Sequence, residues 1–191
     1  LSCESSNCGG YTLEAELGIT PNGYSEPDYL GWEIKQFGVV NFNRINSKII
    51  TLMTPEPTDG FYKTNGVEEF ILKYGYPDVS GKPDRMNFGG IHKNGVLHSR
   101  TNLTLQLIGF DSKEGKIRDT NGRIALLDSN QNETAAWSFA SMLLHWNRKH
   151  NQACYVPSIL KINEGRNYHY GSKVILGTGT DFLFFLKEIS K

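Results

Sequence analysis

No apolar stretch in these 191 residues approaches the roughly 20 that a helix needs to cross a bilayer, which excludes a membrane span. No basic-then-apolar leader opens the chain either. The first residue is Leu1, and the expectation is a domain cut from a longer chain, or a processed product, with further sequence upstream. Charge of one sign is lacking as well: 20 Lys and Arg stand against 20 Asp and Glu, a formal net charge of zero. Nucleic-acid binding through bulk basicity is thereby disfavoured, whereas a local positive cleft with a negative back stays open. Cysteine is scarce, and three of them, an odd number, make no disulfide framework. Cys154, within Ala153-Cys154-Tyr155-Val156, reads as a small buried residue. Cys3 and Cys8 have the spacing of half a zinc site, but two ligands alone hold no structural zinc, so two free thiols is the preferred reading. A reduced, cytoplasmic setting follows. Repeats, low-complexity tracts and clear boundaries are also missing, which leaves one domain over residues 1–191, expected to be the C-terminal part of a longer chain. What is present is ordinary for a globular fold: 38% hydrophobic and 21% charged residues, enough to bury a sizeable core.

Local patterns predict strands interleaved with helices. Residues 11–17 read as a short helix closed by Gly18, and residues 31–37 alternate apolar and polar as a half-buried strand does. Residues 47–53 read as the hairpin partner of that strand. A helix is predicted over 67–74, ended by Gly75 and Pro77, followed by a long polar loop from 78 to 93. Strands are predicted at 96–110, 123–128 and 153–160, with a helix over 135–144 capped by Asn132 or Thr134, and a closing helix over 180–189. The fold class expected is α/β, with a central mixed β-sheet flanked by helices.

The sharpest feature is Pro27-Asp28-Tyr29-Leu30-Gly31-Trp32-Glu33-Ile34-Lys35. Residues two apart in a strand share a face, so Glu33 and Lys35 project together while Trp32 and Ile34 turn away. Asp28 lies just upstream, where a turn can bring its carboxylate beside Glu33, and Gly31 allows close backbone approach. Two carboxylates and a backbone carbonyl, that of Ile34, suit a hard cation such as Mg²⁺, with Mn²⁺ able to substitute. A neighbouring ammonium can hold water and neutralise charge on a phosphate. By itself the pattern is weak, because Glu-x-Lys is common on solvated strand faces.

The surroundings sharpen it. Gly9-Gly10-Tyr11-Thr12-Leu13-Glu14-Ala15-Glu16-Leu17-Gly18-Ile19, Pro27-Asp28 and Leu30-Gly31-Trp32-Glu33-Ile34-Lys35 are followed in order by Ile49-Ile50-Thr51-Leu52-Met53-Thr54-Pro55 and Tyr74-Gly75-Tyr76-Pro77-Asp78. Asn87-Phe88-Gly89, His92 and the run from Trp146 to Val156 complete the series. This ordered set resembles the MvaI/BcnI restriction endonucleases, PD-(D/E)xK nucleases related to the mismatch-repair nickase MutH. The resemblance implies a restriction-endonuclease-like core acting on double-stranded DNA as a monomer. It also implies Asp28 and Glu33 as metal-binding carboxylates, Lys35 as the catalytic lysine, and Glu14 as an additional acidic residue. Otherwise Glu14 is a solvated helix residue, as Glu16 is.

Sequence readout needs donors that reach base edges, arginine to guanine above all. Arg85, His92, Lys93, His98 and Arg100 place such groups on irregular structure. Arg148 and Lys149, with His145 and His150, form a second basic cluster at a helix end, where cations also cap the C-terminus favourably. The leading expectation is a Mg²⁺-dependent endodeoxyribonuclease cutting at a short specific site. The alternatives are a MutH-like nickase, or a non-catalytic DNA-binding domain, against which the intact Asp28, Glu33 and Lys35 argue.

Overall fold

The computed structural model describes residues 7–20, 27–44, 50–82, 84–163 and 165–191. In chain order its elements begin with α1 (Cys8–Glu16), β1 (Glu33–Gly38), α2 (Phe61–Tyr74), β2 (Tyr76–Pro77) and β3 (Met86–Asn87). There follow β4 (Thr104–Ile108), β5 (Phe110–Asp111), β6 (Lys116–Ile117), β7 (Arg123–Leu127) and β8 (Glu133–Ser138). The last five are α3 (Phe139–His150), β9 (Gln152–Ile162), β10 (Arg166–Tyr170), β11 (Ile175–Thr178) and α4 (Phe182–Ile189). Two compact units result, one from residues 1–54 and 145–180, the other from 55–144 and 181–191.

The first unit is built on β9. One edge of β9 carries β1 in parallel, with Glu33 opposite Ala153 and Gly38 opposite Ser158. Its other edge is shared by two antiparallel strands, β11 against its first residues and β10 against its last. This is the mixed sheet, and the expected hairpin partner of β1 is replaced by a strand more than a hundred residues downstream. Residues 45–49 lie outside the described set, and residues 50–53 hold no strand. Helix α1 lies directly on β1 and β10. A Cβ at Gly9 would stand 2.5 Å from Gln36 Oε1 and 3.0 Å from the Tyr168 ring, so any larger residue would push the Gln36 side chain aside. The Tyr170 hydroxyl donates to the Gly9 carbonyl at 2.9 Å, and burial pushes its pKa up to about 12. Cys8 is buried and closed in a disulfide, which corrects the expectation of a free thiol and leaves that sulfur no zinc ligand; Cys3 lies outside the described residues.

The second unit holds the antiparallel sheet β4-β7-β8 and packs α2 against it. Phe70, Leu103, Leu126 and Ala135 are its buried centre, with Phe61, Ile71, Phe88 and Trp137 packed around them. Here several expectations fail. Residues 135–138 belong to β8 rather than a helix. Asn132 instead closes a turn by donating its N–H to Asp128 Oδ1 at 2.9 Å, and residues 58–59 bond the outer edge of Ala136. Tertiary hydrogen bonding on both edges overrides the helix propensity of two alanines. Helix α3 starts only at Phe139, where Ser138 Oγ accepts the N–H of Ser141 at 3.2 Å. The strand predicted over 96–110 shrinks to β4, because residues 98–103 close a turn that contains Asn102 at φ 53°. Helix α2 extends further upstream than predicted and breaks at Gly66, whose φ of 88° and ψ of 169° are not helical. The closing helix α4 is capped by Asp181, which accepts the N–H of Phe184 at 2.8 Å.

Leu103 is 1% exposed, so Leu103→Ala leaves a cavity that this core cannot fill. We expect a loss of about 2–5 kcal/mol, read from urea denaturation monitored by tryptophan fluorescence. A loss below about 1 kcal/mol would show that the core collapses around the gap.

Candidate active site

The chain doubles back between Asp28 and Glu33. Tyr29 and Trp32 exchange both backbone hydrogen bonds, at 3.0 and 2.8 Å. Between them Leu30 and Gly31 take φ of 48° and 82°. Two successive left-handed residues make the tight turn that matches strand twist; glycine adopts it freely, and leucine does so at a cost of about 1 kcal/mol. The turn seats Asp28 beside the start of β1, where its Oδ2 accepts the N–H of Ile34 at 2.9 Å. In an extended strand the N–H and C=O of one residue leave on the same edge, so the Ile34 carbonyl opens towards the side occupied by Asp28.

Glu33 is 2% exposed. Its Oε1 meets Lys35 Nζ at 2.6 Å, and its Oε2 meets Lys149 Nζ at 3.0 Å. Lys35 is there because residues two apart share a strand face. Lys149 arrives from the last turn of α3, 116 residues away in sequence. Opposite Glu33 in β9 stands Ala153, a short side chain at 1% exposure. Glu14, on α1, belongs to the same electrostatic neighbourhood. Its pKa is pushed up, first by burial and then by the negative charges of Asp28 and Glu33, while Lys35 and Lys149 oppose the shift. Three carboxylates and two ammonium groups thus leave a negative excess. Beside them opens a cleft of about 890 Å³ lined by Glu14, Ile34 and Lys35, among others. Among the described residues no three His, Cys, Asp or Glu side chains form a ready cage for a metal ion.

The sequence pattern of the MvaI/BcnI restriction endonuclease family matches residues 2–191. The chain belongs to that family. A solved structure described as the restriction endonuclease MvaI in complex with its cognate DNA substrate superposes with a TM-score of 0.70 at 21% identity, covering 98% of this chain and 71% of that one. A structure of MvaI in the absence of DNA gives a TM-score of 0.45 at 18% identity, over 100% and 72% of the two chains. No curated protein matches in sequence. The mixed α/β restriction-endonuclease fold expected from sequence is therefore present, and as a member of the MvaI/BcnI family the chain is a site-specific endodeoxyribonuclease.

Within this MvaI/BcnI enzyme the basic residues singled out in the sequence divide between the units. Arg148 is exposed on α3, whereas Lys149 is engaged with Glu33. Arg85, His92, Lys93, His98 and Arg100 belong to the second unit. There Arg85 and Lys93 are exposed, and the Arg100 guanidinium lies 5.2 Å from the centre of the Tyr76 ring. His92 and His98 stack with ring centres 4.3 Å apart and both meet the hydroxyl of buried Thr101, at 2.9 and 3.0 Å. Burial first, and then His98, pushes the His92 pKa down. Sequence reasoning missed Thr101, quoted Tyr76 in a family motif without a role, and read Lys149 as a DNA contact or helix-end cation rather than as a partner of Glu33. No local pattern announces a contact that spans 116 residues.

The raised pKa of Glu14 sets a pH dependence. The folded chain keeps the Glu14 proton above the ordinary value of 4.5, so the unfolded chain releases it first and stability falls as pH rises from about 4.5 through the raised value. Glu14→Gln removes that loss. In EDTA the variant should melt above the parent at about pH 7 and converge with it below about pH 4.5. A difference that stays constant with pH would show that Glu14 does not sense Asp28 and Glu33.

Proposed function

We propose that the chain hydrolyses phosphodiester bonds of double-stranded DNA at a short specific sequence, as a type II restriction-type enzyme that needs Mg²⁺ and acts as a cytoplasmic monomer. The observation that carries this reading is the buried Glu33 carboxylate held between Lys35 and Lys149, with Asp28 locked alongside by its turn. Asp28, Glu33 and the Ile34 carbonyl would hold the ion. They fit it in two respects: all are hard oxygens, and the negative excess felt by Glu14 is what a divalent cation relieves. So small a set of protein oxygens would suit Mg²⁺, which keeps several waters and is bound through few carboxylates. A cation bound there supplies Lewis acidity, acidifying water and offsetting phosphate charge.

The chain's own residues do the rest. Lys35 donates a hydrogen bond to the attacking water or to a non-bridging phosphate oxygen, lowering the cost of charge that develops in the transition state. Lys149 holds the second oxygen of Glu33. Glu14, reluctant to ionise, accepts hydrogen bonds from the surrounding water and takes up a proton more readily than an ordinary glutamate. The MvaI structure with TM-score 0.70 is a complex with cognate DNA, which supports DNA as the substrate here. Arg148, with Lys93, fixes phosphates, while Arg85, His92, His98 and Arg100 line the surface that reads bases.

Asp28→Ala and Lys35→Ala should each lower cleavage at least 10²–10³-fold while circular dichroism stays that of the parent. The parent should linearise plasmid in Mg²⁺ or Mn²⁺ and leave it intact in EDTA, with Ca²⁺ supporting binding only. Robust cutting in EDTA, or parental rates in both variants, would defeat the assignment; open circles alone would make the enzyme a nickase.

Arg100, stacked on Tyr76, is oriented before DNA arrives. If it reads a guanine, Arg100→Ala should weaken cognate binding by about 1–3 kcal/mol and random-duplex binding far less. Equal losses on both duplexes across a salt titration would make it a phosphate contact.

A further inference from the structure

Lys149 is a long, flexible side chain, and its reach to Glu33 depends on where the end of α3 is held. The next residue, His150, is 5% exposed and ends the helix. Its Nε2 stands 3.1 Å from the Leu52 carbonyl. A carbonyl only accepts, so Nε2 carries the proton. Burial, the largest cause, pushes the imidazole pKa down and keeps the ring neutral, so Nδ1 is left as an acceptor. The Tyr155 hydroxyl lies 3.4 Å from that nitrogen and donates to it. Tyr155 is the register partner of Lys35 across β9 and β1, and the Trp146 ring packs 4.4 Å from the imidazole one turn earlier in α3. The chain of contacts therefore runs from Leu52 through His150 to the strand beside the catalytic lysine.

We propose that His150 is a positioning residue of the cleavage reaction: bonded to Leu52 and Tyr155, it fixes the end of α3 so that Lys149 holds the Glu33 carboxylate in place. A buried histidine that merely satisfies a loop carbonyl would stabilise the fold and leave the chemistry alone. What distinguishes the two is the adjacency of Lys149, whose ammonium bonds the buried glutamate. The proposal rests on the reading of Glu33 and Lys35 as the catalytic pair.

The test is single-turnover cleavage of plasmid in Mg²⁺, with DNA affinity measured separately in Ca²⁺. His150→Ala should lower the rate about 10–100-fold with little change in affinity, as loss of an orienting partner does. His150→Gln, which can still offer an N–H to Leu52, should recover most of it, and Tyr155→Phe should lose several-fold. In a Lys149→Ala background none of these changes should cost more than about twofold, because the effect passes through that lysine. Losses that persist in full without Lys149, or a His150→Ala rate within about twofold of the parent, would overturn the proposal. Should His150→Ala fail to fold, His150→Gln and Tyr155→Phe in both backgrounds carry the same decision. Glu33→Gln and Lys35→Ala are measured alongside. If these two are inactive while His150→Ala is unimpaired, only the positioning role falls; if they cut at the parental rate, the catalytic reading falls with it.

Discussion

Removing a carboxylate from water costs several kcal/mol unless opposite charge and hydrogen bonds replace the solvent, and Glu33 is almost wholly removed. Its two oxygens are answered by two ammonium groups from different parts of the chain. The first unit is arranged around that requirement. The parallel pairing of β1 with β9 puts Ala153 beside the acid, and α3 ends where Lys149 can reach it. Either lysine alone would leave one oxygen without an ammonium partner.

The same constraint gathers the groups to which the catalytic role is proposed. A turn with a leucine in a left-handed conformation is an unfavourable local choice, sustained because the rest of the structure determines it. It brings Asp28 to the edge of β1 from which the Ile34 carbonyl opens. The close approach of α1 at Gly9 places Glu14 within reach of both acids. Burial first, and then repulsion from Asp28 and Glu33, holds the Glu14 pKa up. The site is thus preorganised for positive charge.

In the function proposed above, the second unit solves a different problem. Base reading requires side chains held on a rigid platform. A column of rings runs from buried Phe70 through Phe88 and His92 to His98, with successive centres 4.8, 5.6 and 4.3 Å apart. The core thereby extends into a loop region that would otherwise be irregular. Arg100 resting on Tyr76 continues that logic, since a neutral chain cannot rely on diffuse attraction and must place its few arginines well.

Local order was legible wherever the signal lay within a few residues. The alternation around Glu33 and Lys35 identified β1 and its polar face, the place of Asp28 just upstream suggested a turn, and the ordered motifs identified the family, whereas Gly31, read as the first strand residue, belongs to that turn. The sequence did not show β8, because Ala135 and Ala136 favour a helix until β7 on one edge and residues 58–59 on the other claim their backbone groups. Nor did it show that β1 pairs with β9 rather than with a neighbouring segment, since parallel pairing carries no turn signature. The second lysine on Glu33 was hidden for the same reason. Arg148-Lys149-His150 look like any basic helix end, and only the packing of that end beside β1 turns one of them towards a buried carboxylate. Residue types and short spacings determined what chemistry this chain can perform. Long-range pairing decided which groups meet to perform it, because burial and hydrogen-bond satisfaction are properties of the assembled fold.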